Sequence, residues 1–206
     1  MVSASVLGPL VLLCAWLGGW PLAVMLLVGF AGVVWEWAVM CRRHPIPLAL
    51  GVLYAAAALA ALWAVSDILG ARGVFFILIV VWCSDIGAYV AGRLIGGRRL
   101  APSISPGKTW SGAVGGLAAA IAGGIVIAGL SVWAGLAAAI LGVASQLGDL
   151  GESAVKRHYK VKDSGRLIPG HGGMLDRLDG LMAAALVAGL ALAAFAAISQ
   201  TGLPRP

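Results

Sequence analysis

Long apolar runs recur along this chain, and they constrain its fold more than any other feature of the sequence. An apolar run of about 20 residues matches the hydrocarbon core of a bilayer. Only helices and closed barrels satisfy their backbone polar groups there, and these runs lack the alternation of barrel strands. The sequence therefore predicts an all-α, polytopic transmembrane helical bundle of about seven spans. The predicted spans are residues 3–18, 20–39, 46–66, 74–95, 112–130, 132–148 and 180–199.

Composition excludes an ordinary soluble domain. Only 11% of the residues are charged, 61% are hydrophobic and the mean hydropathy is +1.01, whereas soluble domains carry about 25% charged residues. No basic region precedes the first apolar run, which predicts a retained first span rather than a signal peptide. The cysteines have no metal-ligand spacing, which predicts apolar packing positions rather than zinc or disulfide sites. They are Cys14, Cys41 and Cys83.

The basic residues lie between alternate spans and predict an orientation. Twelve of the fourteen Lys and Arg residues fall in three segments, 41–45, 93–111 and 149–179. Because positively charged loops stay on the cytoplasmic side of a membrane, the N-terminus and these three loops are predicted to be cytoplasmic. The net charge of +6 suits anionic partners at this surface, and its clustering between spans argues against nucleic acid.

One densely ionic stretch, Gln146–Gly180, separates the last two apolar runs. It holds five of the chain's eight acidic residues and six of its fourteen Lys and Arg residues. Asp176 and Asp179 lie three residues apart at the start of the last span, which places them on one face of a helix. Two such carboxylates repel each other unless a cation lies between them, and hard oxygen ligands suit Mg²⁺. Capping of the helix N-terminus is the alternative for one of them.

Other acidic residues are weaker metal candidates. Asp149 and Glu152 repeat the same spacing at the end of the sixth run, with a solvated interfacial turn as the alternative. Asp163 lies among basic residues, where a surface ion pair is the commoner role. Asp85 lies inside the fourth run, where an ionisable group is costly. It is predicted to be a metal ligand, to orient one, or to make a helix–helix hydrogen bond.

Two loops have the chemistry to bind phosphate. The segment 102–109 lacks the glycine pattern of a Walker A loop, but Lys108 and a helix start near Trp110 would form a phosphate cradle. A membrane-surface turn is the alternative. The segment 169–173 is rich in glycine, so its backbone can turn sharply and approach a ligand closely. His171 within it contacts phosphate or has a structural role.

Hard-metal ligands, phosphate-binding groups and a membrane scaffold together favour phosphoryl or nucleotidyl transfer onto a lipid. Such transfer depends on positioning and charge neutralisation rather than on a nucleophilic side chain. No Ser-His-Asp arrangement is evident in the sequence.

The segment from Ser153 to Asp179 closely resembles the signature of the phosphatidate cytidylyltransferases, the CDP-diacylglycerol synthases. Residues 85–89 and 101–110 resemble the family's other motifs. The resemblance implies a multi-pass enzyme of the bacterial inner membrane that condenses CTP with phosphatidic acid to give CDP-diacylglycerol and pyrophosphate. It implies a single integral-membrane domain, 1–206, with N-terminal spans in 1–72 and a catalytic core in 73–206.

The resemblance also implies roles for individual residues. Mg²⁺, and a monovalent cation such as K⁺, would belong to a centre that contains Asp163, Asp176 and Asp179, with Asp85 and Asp149 as further candidates. The catalytic set adds the cations Lys108, Lys156 and Arg157. Substrate phosphates would be held by Ser105, Lys108, Thr109, Arg166, His171, Gly172 and Gly173. The chain departs from the family pattern at Ser111, where Glu is usual, and in its short N-terminal half.

Three other functions stay open at the level of sequence. A related CTP-using membrane enzyme would use another lipid acceptor, such as an isoprenoid phosphate or alcohol. A small transporter or channel would use Asp85 as its ion site. A degenerate family member would bind CTP without turning it over. A homodimer is also left open.

Overall fold

The computed structural model describes residues 2–41, 44–168, 170 and 172–200. The predicted substrate contact His171 therefore lies outside the described residues, as do the basic residues Arg42, Arg43 and Arg205. The described part is a bundle of helices with one small hairpin. In chain order the elements are α1 (Val2–Leu17), α2 (Gly19–Cys41), α3 (Pro45–Leu94), β1 (Arg99–Ala101), β2 (Ser105–Thr109), α4 (Trp110–Ala128), α5 (Val132–His158) and α6 (Leu175–Gln200).

The helices have the length and apolarity of membrane spans. Five of the described helices, α2 to α6, are long and apolar enough to cross a membrane, and α1 contains a shorter apolar segment. The third and fourth predicted spans both lie in α3, whose backbone leaves the helical conformation only at Gly70 (φ 66°, ψ −162°). Glycine adopts a positive φ without a Cβ clash. The predicted membrane helical bundle is consistent with this fold, and the count of seven spans stays a prediction.

The structure confirms the all-α prediction and adds one short β-hairpin after α3. Residues 99–109 form an antiparallel hairpin in which Arg99 pairs with Thr109 and Ala101 pairs with Ser105. This segment is too polar to lie in the hydrocarbon core. Outside the core, water can satisfy the open edges of its strands. The strand places Lys108 and Thr109 directly before α4.

The sequence analysis also predicted that the loop 149–179 begins directly after the sixth span, which is too early. Helix α5 continues to His158, so Asp149, Glu152 and Lys156 lie on a helix. The physical reason is that good helix formers extend beyond the apolar run, and a helix does not have to end where hydrophobicity ends. Within the stretch 146–180, the described residues are irregular only after α5 and before α6.

Glycines bring the helix backbones close together. A Cβ on Gly87 of α3 would lie 2.8 Å from the carbonyl oxygen of Gly115 in α4, and one on Gly112 would lie 2.8 Å from the carbonyl oxygen of Ala88. Small residues allow this approach between helices in a bilayer, where packing replaces the hydrophobic effect as the main attraction. Beneath the ionic segment, Val33, Ala58 and Met182 join α2, α3 and α6 in one apolar cluster.

Candidate active site

Three carboxylates meet where α5 crosses α6. Asp149 and Glu152 on α5 and Asp179 on α6 each offer an oxygen, and these oxygens lie within 4.8 Å of one another. We call these three residues the carboxylate cluster. Its geometry depends on glycine, because a Cβ on Gly148 would lie 2.8 Å from the carbonyl oxygen of Asp179 and one on Gly180 would lie 2.5 Å from Ser145 Oγ.

The carboxylate cluster has more negative charge than its lysine partners neutralise. Lys108 Nζ lies 2.6 Å from Asp149 Oδ2, and Lys156 Nζ lies 2.8 Å from Glu152 Oε2. Asp179 Oδ1 accepts a hydrogen bond of 2.7 Å from the N–H of Gly180. Three carboxylates beside two ammonium groups favour the approach of a further cation.

A buried oxygen also fits a metal ion. Within the described part of the chain, Glu152 Oε1 is buried and has no hydrogen-bond partner. A buried carboxylate oxygen without a partner is costly, and a metal ion would satisfy it. Carboxylate oxygens are the ligands that hard cations such as Mg²⁺ prefer. The carboxylate cluster could therefore bind a metal ion.

Asp176 has different surroundings from Asp179. Both lie in the first turns of α6, as predicted. Asp176 Oδ1 lies 2.6 Å from Lys156 Nζ, and its Oδ2 accepts hydrogen bonds from the N–H groups of Gly173 (2.9 Å) and Ser164 (3.1 Å). Asp176 thus fastens the segment before α6, and it is not part of the carboxylate cluster found among the described residues.

Glu36 on α2 is a second fastening point, which the sequence analysis missed. Its carboxylate is buried, and it accepts hydrogen bonds from Ser164 Oγ (2.9 Å), Met174 N (3.0 Å) and Leu175 N (2.9 Å). The available signal was an acidic residue inside an apolar run, which is unusual unless the group is paired or functional.

The other basic and acidic residues that were predicted to belong to the site lie in three different surroundings. Lys156 is held between Glu152 and Asp176. Arg157 Nε donates to the carbonyl of Ile104 at 3.1 Å, which ties α5 to the hairpin. Asp163 and Arg166 are exposed in the segment between α5 and α6. Asp163 is not part of the carboxylate cluster found among the described residues.

The glycine-rich segment has a structural part in the site. The N–H of Ile168 donates to the carbonyl of Gly172 at 3.0 Å, and Gly172 has a φ of 81° that suits glycine. Gly173 is buried, and its N–H is bonded to Asp176. Both glycines shape the turn that leads into α6.

A first cavity of about 480 Å³ lies beside the carboxylate cluster on the hairpin side. Its wall includes Asp85, Arg93, Lys108, Thr109 and Asp149. Cavities of roughly 300 to 1,000 Å³ are typical of small-molecule sites. Thr109 also caps α4, because its Oγ1 accepts a 3.0 Å hydrogen bond from the N–H of Gly112.

Two other hairpin-side residues have backbone roles. Ser105 pairs with Ala101 in the hairpin and is not among the residues that line this cavity. Ser111 Oγ donates to the carbonyl of Gly96. Of the predicted phosphate contacts in this loop, Lys108 and Thr109 therefore face the cavity.

A second cavity of about 400 Å³ lies on the other side of the cluster, among α2, α3, α5 and α6. Its walls are mainly apolar and include Trp37, Tyr54 and Met182, and Glu152 and Asp179 lie at its edge. Asp149 lines the first cavity, which contains charged side chains, and Glu152 and Asp179 line the second, which is more apolar, so the carboxylate cluster lies between the two. That arrangement suits a reaction between a charged, soluble substrate and a lipid.

Known proteins resemble this chain in sequence. The profile of the cytidylyltransferase family matches residues 43–195. A phosphatidate cytidylyltransferase of Brucella suis is 54% identical over 132 residues, which cover 62% of this chain and 49% of that protein. One from Staphylococcus haemolyticus is 47% identical over 119 residues, 55% of this chain and 46% of that protein.

The chain spans about half the length of the curated relatives it matches. The matched region nevertheless contains the hairpin, α4, α5 and the start of α6, and so every residue of the carboxylate cluster. Because the family profile matches well over half of the sequence, this chain belongs to the cytidylyltransferase family.

Proposed function

We propose that this chain catalyses the condensation of CTP with phosphatidic acid to give CDP-diacylglycerol and pyrophosphate. The observation that carries the proposal is the position of the carboxylate cluster between a cavity lined by charged side chains and a more apolar cavity. The names of the relatives from Brucella suis and Staphylococcus haemolyticus support the same reaction.

The first cavity is the proposed nucleotide site. Lys108 and Arg93 bring positive charge to its wall, and the start of α4 contributes a helix N-terminus, which favours phosphate oxygens. Lys108 is paired with Asp149. A bound triphosphate would compete for this ammonium group, and Lys108 would hold the phosphate beside the carboxylate cluster.

The second cavity is the proposed site for the lipid acceptor. It lies among four membrane-type helices, and its apolar wall suits the glycerol and the upper acyl chains of phosphatidic acid. The lipid phosphate would then lie at the edge formed by Glu152 and Asp179. The acyl chains need not leave the bilayer during the reaction.

The carboxylate cluster is the proposed Mg²⁺ site, with Asp149, Glu152 and Asp179 as its ligands. When bound, Mg²⁺ would neutralise charge on the reacting phosphates and help to align them. Asp85, which lines the first cavity, would orient the metal ligands or the nucleotide in that cavity. Asp163 and Asp176 as ligands, and K⁺ as a second cation, stay predictions.

In the proposed reaction, a phosphate oxygen of phosphatidic acid attacks the α-phosphorus of CTP. A new P–O bond forms as the bond from the α-phosphorus to the bridging oxygen of the β-phosphate breaks, and pyrophosphate leaves. This in-line transfer requires positioning and charge neutralisation more than a side-chain nucleophile. Lys108 and Arg93 would hold the triphosphate, and Lys156 would keep Glu152 and Asp176 in place.

We further propose that the protein lies in the bacterial inner membrane, with the N-terminus, hairpin and ionic segment in the cytoplasm. The positive charge of the segments 41–45, 93–111 and 149–179 supports this orientation. CTP would reach the first cavity from that side, while the lipid partner comes from the bilayer. The division at residue 73 and a homodimer stay predictions.

The test is a product assay with the purified protein in lipid vesicles. The protein is supplied with CTP, Mg²⁺ and one acceptor at a time: phosphatidic acid, an isoprenoid phosphate or an isoprenoid alcohol. We expect CDP-diacylglycerol and pyrophosphate in equal amounts, with phosphatidic acid alone as acceptor. A product formed only from an isoprenoid acceptor would refute the proposed acceptor, and CTP binding without product would indicate a degenerate member.

A further inference from the structure

Glu36 lies outside the region matched by the family profile, which begins at residue 43, yet it contacts the centre of the ionic segment. It lies on α2 between Trp35 and Trp37, and only 2% of the residue is exposed. A carboxylate in such a setting is costly unless hydrogen bonds satisfy it. The identity of its donors therefore indicates what it does.

Its donors lie at the two ends of the segment 164–175, which begins within the connection after α5 and ends at the first residue of α6. Ser164 Oγ, 128 residues further along the chain, donates to Oε2 at 2.9 Å. The N–H of Leu175 donates to the same oxygen at 2.9 Å, and the N–H of Met174 donates to Oε1 at 3.0 Å. Glu36 thus closes the loop 164–175 by holding its beginning and its end.

The two backbone donors are also the start of α6. The first N–H groups of a helix have no partner within the helix, and they carry partial positive charge that favours a carboxylate. Capping usually comes from a neighbouring residue in sequence, but here it comes from another helix. Because the cap is anchored on α2, it fixes where α6 begins relative to the bundle.

Two glycines show how closely the loop surrounds the carboxylate. A Cβ on Gly165 would overlap the carboxylate of Glu36, and a Cβ on Gly173 would overlap both Ser164 Oγ and Glu36. The loop therefore requires glycine at both positions to close around the carboxylate. Asp176 contributes a second group of hydrogen bonds to the same segment, because its Oδ2 accepts from the N–H groups of Ser164 and Gly173.

We propose that Glu36 is a positioning residue, which holds the loop 164–175 and the start of α6 so that Asp179 meets Asp149 and Glu152. Asp179 lies about one helical turn after the capped N–H of Leu175, so a shift of the helix start moves it directly. The kinetic consequence of this inference rests on the proposed function, whereas the closure of the loop does not.

Hydrogen exchange tests the closure without requiring turnover. The full chain in vesicles is compared as wild type, Glu36→Gln and the matched control Asp67→Asn, which also replaces an acid by its amide but at an exposed position on α3. In Glu36→Gln we expect amides of residues 164–175 to exchange at least about tenfold faster, since a charge-assisted bond set is lost. Amides of α4 should keep their wild-type rates, and Asp67→Asn should match wild type throughout.

Two results would overturn the inference. Unchanged exchange in residues 164–175 would mean that Glu36 does not hold the loop. Equal acceleration in the loop and in α4 would mean that Glu36 supports the whole bundle rather than this loop.

Kinetics then test the link to the carboxylate cluster. We expect Glu36→Gln to lower kcat about ten- to a hundredfold while the KM for CTP stays within about threefold of wild type. Ser164→Ala should have a smaller effect, and in the Glu36→Gln background it should add less than about twofold, because the two groups share one bond.

Additive effects of the two substitutions, or a change in the KM for CTP alone, would refute the positioning role. If the wild-type protein forms no product from CTP and phosphatidic acid, the proposed function fails instead. The exchange experiment still decides whether Glu36 holds the loop in that case.

Discussion

Asp176 and Asp179 lie three residues apart on α6, but one is saturated with donors and the other belongs to an open cluster. Asp176 is bonded to Lys156 and to two backbone N–H groups. Asp179 contributes an oxygen to the carboxylate cluster, beside a buried oxygen of Glu152 that lacks a hydrogen-bond partner in the described chain. Glu36 and Asp176, whose oxygens already accept several hydrogen bonds, hold the loop, and we call them the saturated set. The carboxylate cluster, which we call the open set, is available to a cation.

We infer from this difference that spacing alone does not assign a carboxylate to a metal. A carboxylate whose oxygens already accept several bonds gains little from an ion, whereas a group of carboxylates with too few donors favours one. Local donors decide between the two roles. Here the donors of Asp176 come from α5 and from the preceding loop, which sequence spacing does not reveal.

The largest expected effect is that of Asp179→Asn. Loss of one carboxylate from the open set should lower kcat about 10²- to 10³-fold and abolish Mg²⁺ binding measured by calorimetry. The melting temperature should change little, because Asp179 is not part of the saturated set. Retention of both Mg²⁺ binding and turnover would contradict the proposed site.

The next effect is that of Asp176→Asn, which should disturb the fold more than the metal. The substitution weakens the bonds with Lys156, Ser164 and Gly173, each of which involves the charged carboxylate. We expect a melting temperature clearly below that of Asp179→Asn, about a tenfold loss of kcat, and Mg²⁺ binding that is still measurable. If Asp176→Asn loses Mg²⁺ binding as completely as Asp179→Asn, the two aspartates share one ion as their spacing predicts.

A matched pair of lysine substitutions separates the nucleotide site from the saturated set. Lys108 faces the first cavity, whereas Lys156 is enclosed between Glu152 and Asp176. Lys108→Met should raise the KM for CTP about tenfold and leave the melting temperature near that of wild type. Lys156→Met should lower the melting temperature, because it leaves two carboxylates without their cation. If Lys108→Met lowered the melting temperature and Lys156→Met raised only the KM for CTP, the distinction between the nucleotide site and the saturated set would be wrong.

Much of the scaffold could be predicted because it depends on local patterns. The apolar runs mark the membrane helices, and the helix starts near Trp110 and Asp176 follow from local sequence. The hairpin could not be placed, since it depends on packing outside the apolar runs. The extension of α5 to His158 was missed because the prediction ended the helix where the apolar run ends. The role of Glu36 depends on contacts 128 to 139 residues away, and one sequence contains no record of such contacts.

The smallest expected effect is that of Asp163→Asn. It tests whether an exposed carboxylate outside the carboxylate cluster affects the metal site. The sequence resemblance places Asp163 with the metal ligands, but the structure leaves it exposed and outside the carboxylate cluster. An exposed carboxylate among basic residues contributes little free energy, so kcat and Mg²⁺ affinity should each change by less than about threefold. The same calorimetric and product assays apply, with Asp67→Asn as the control for removal of an exposed acid. A loss near that of Asp179→Asn would show that the loop moves during turnover and brings Asp163 to the ion.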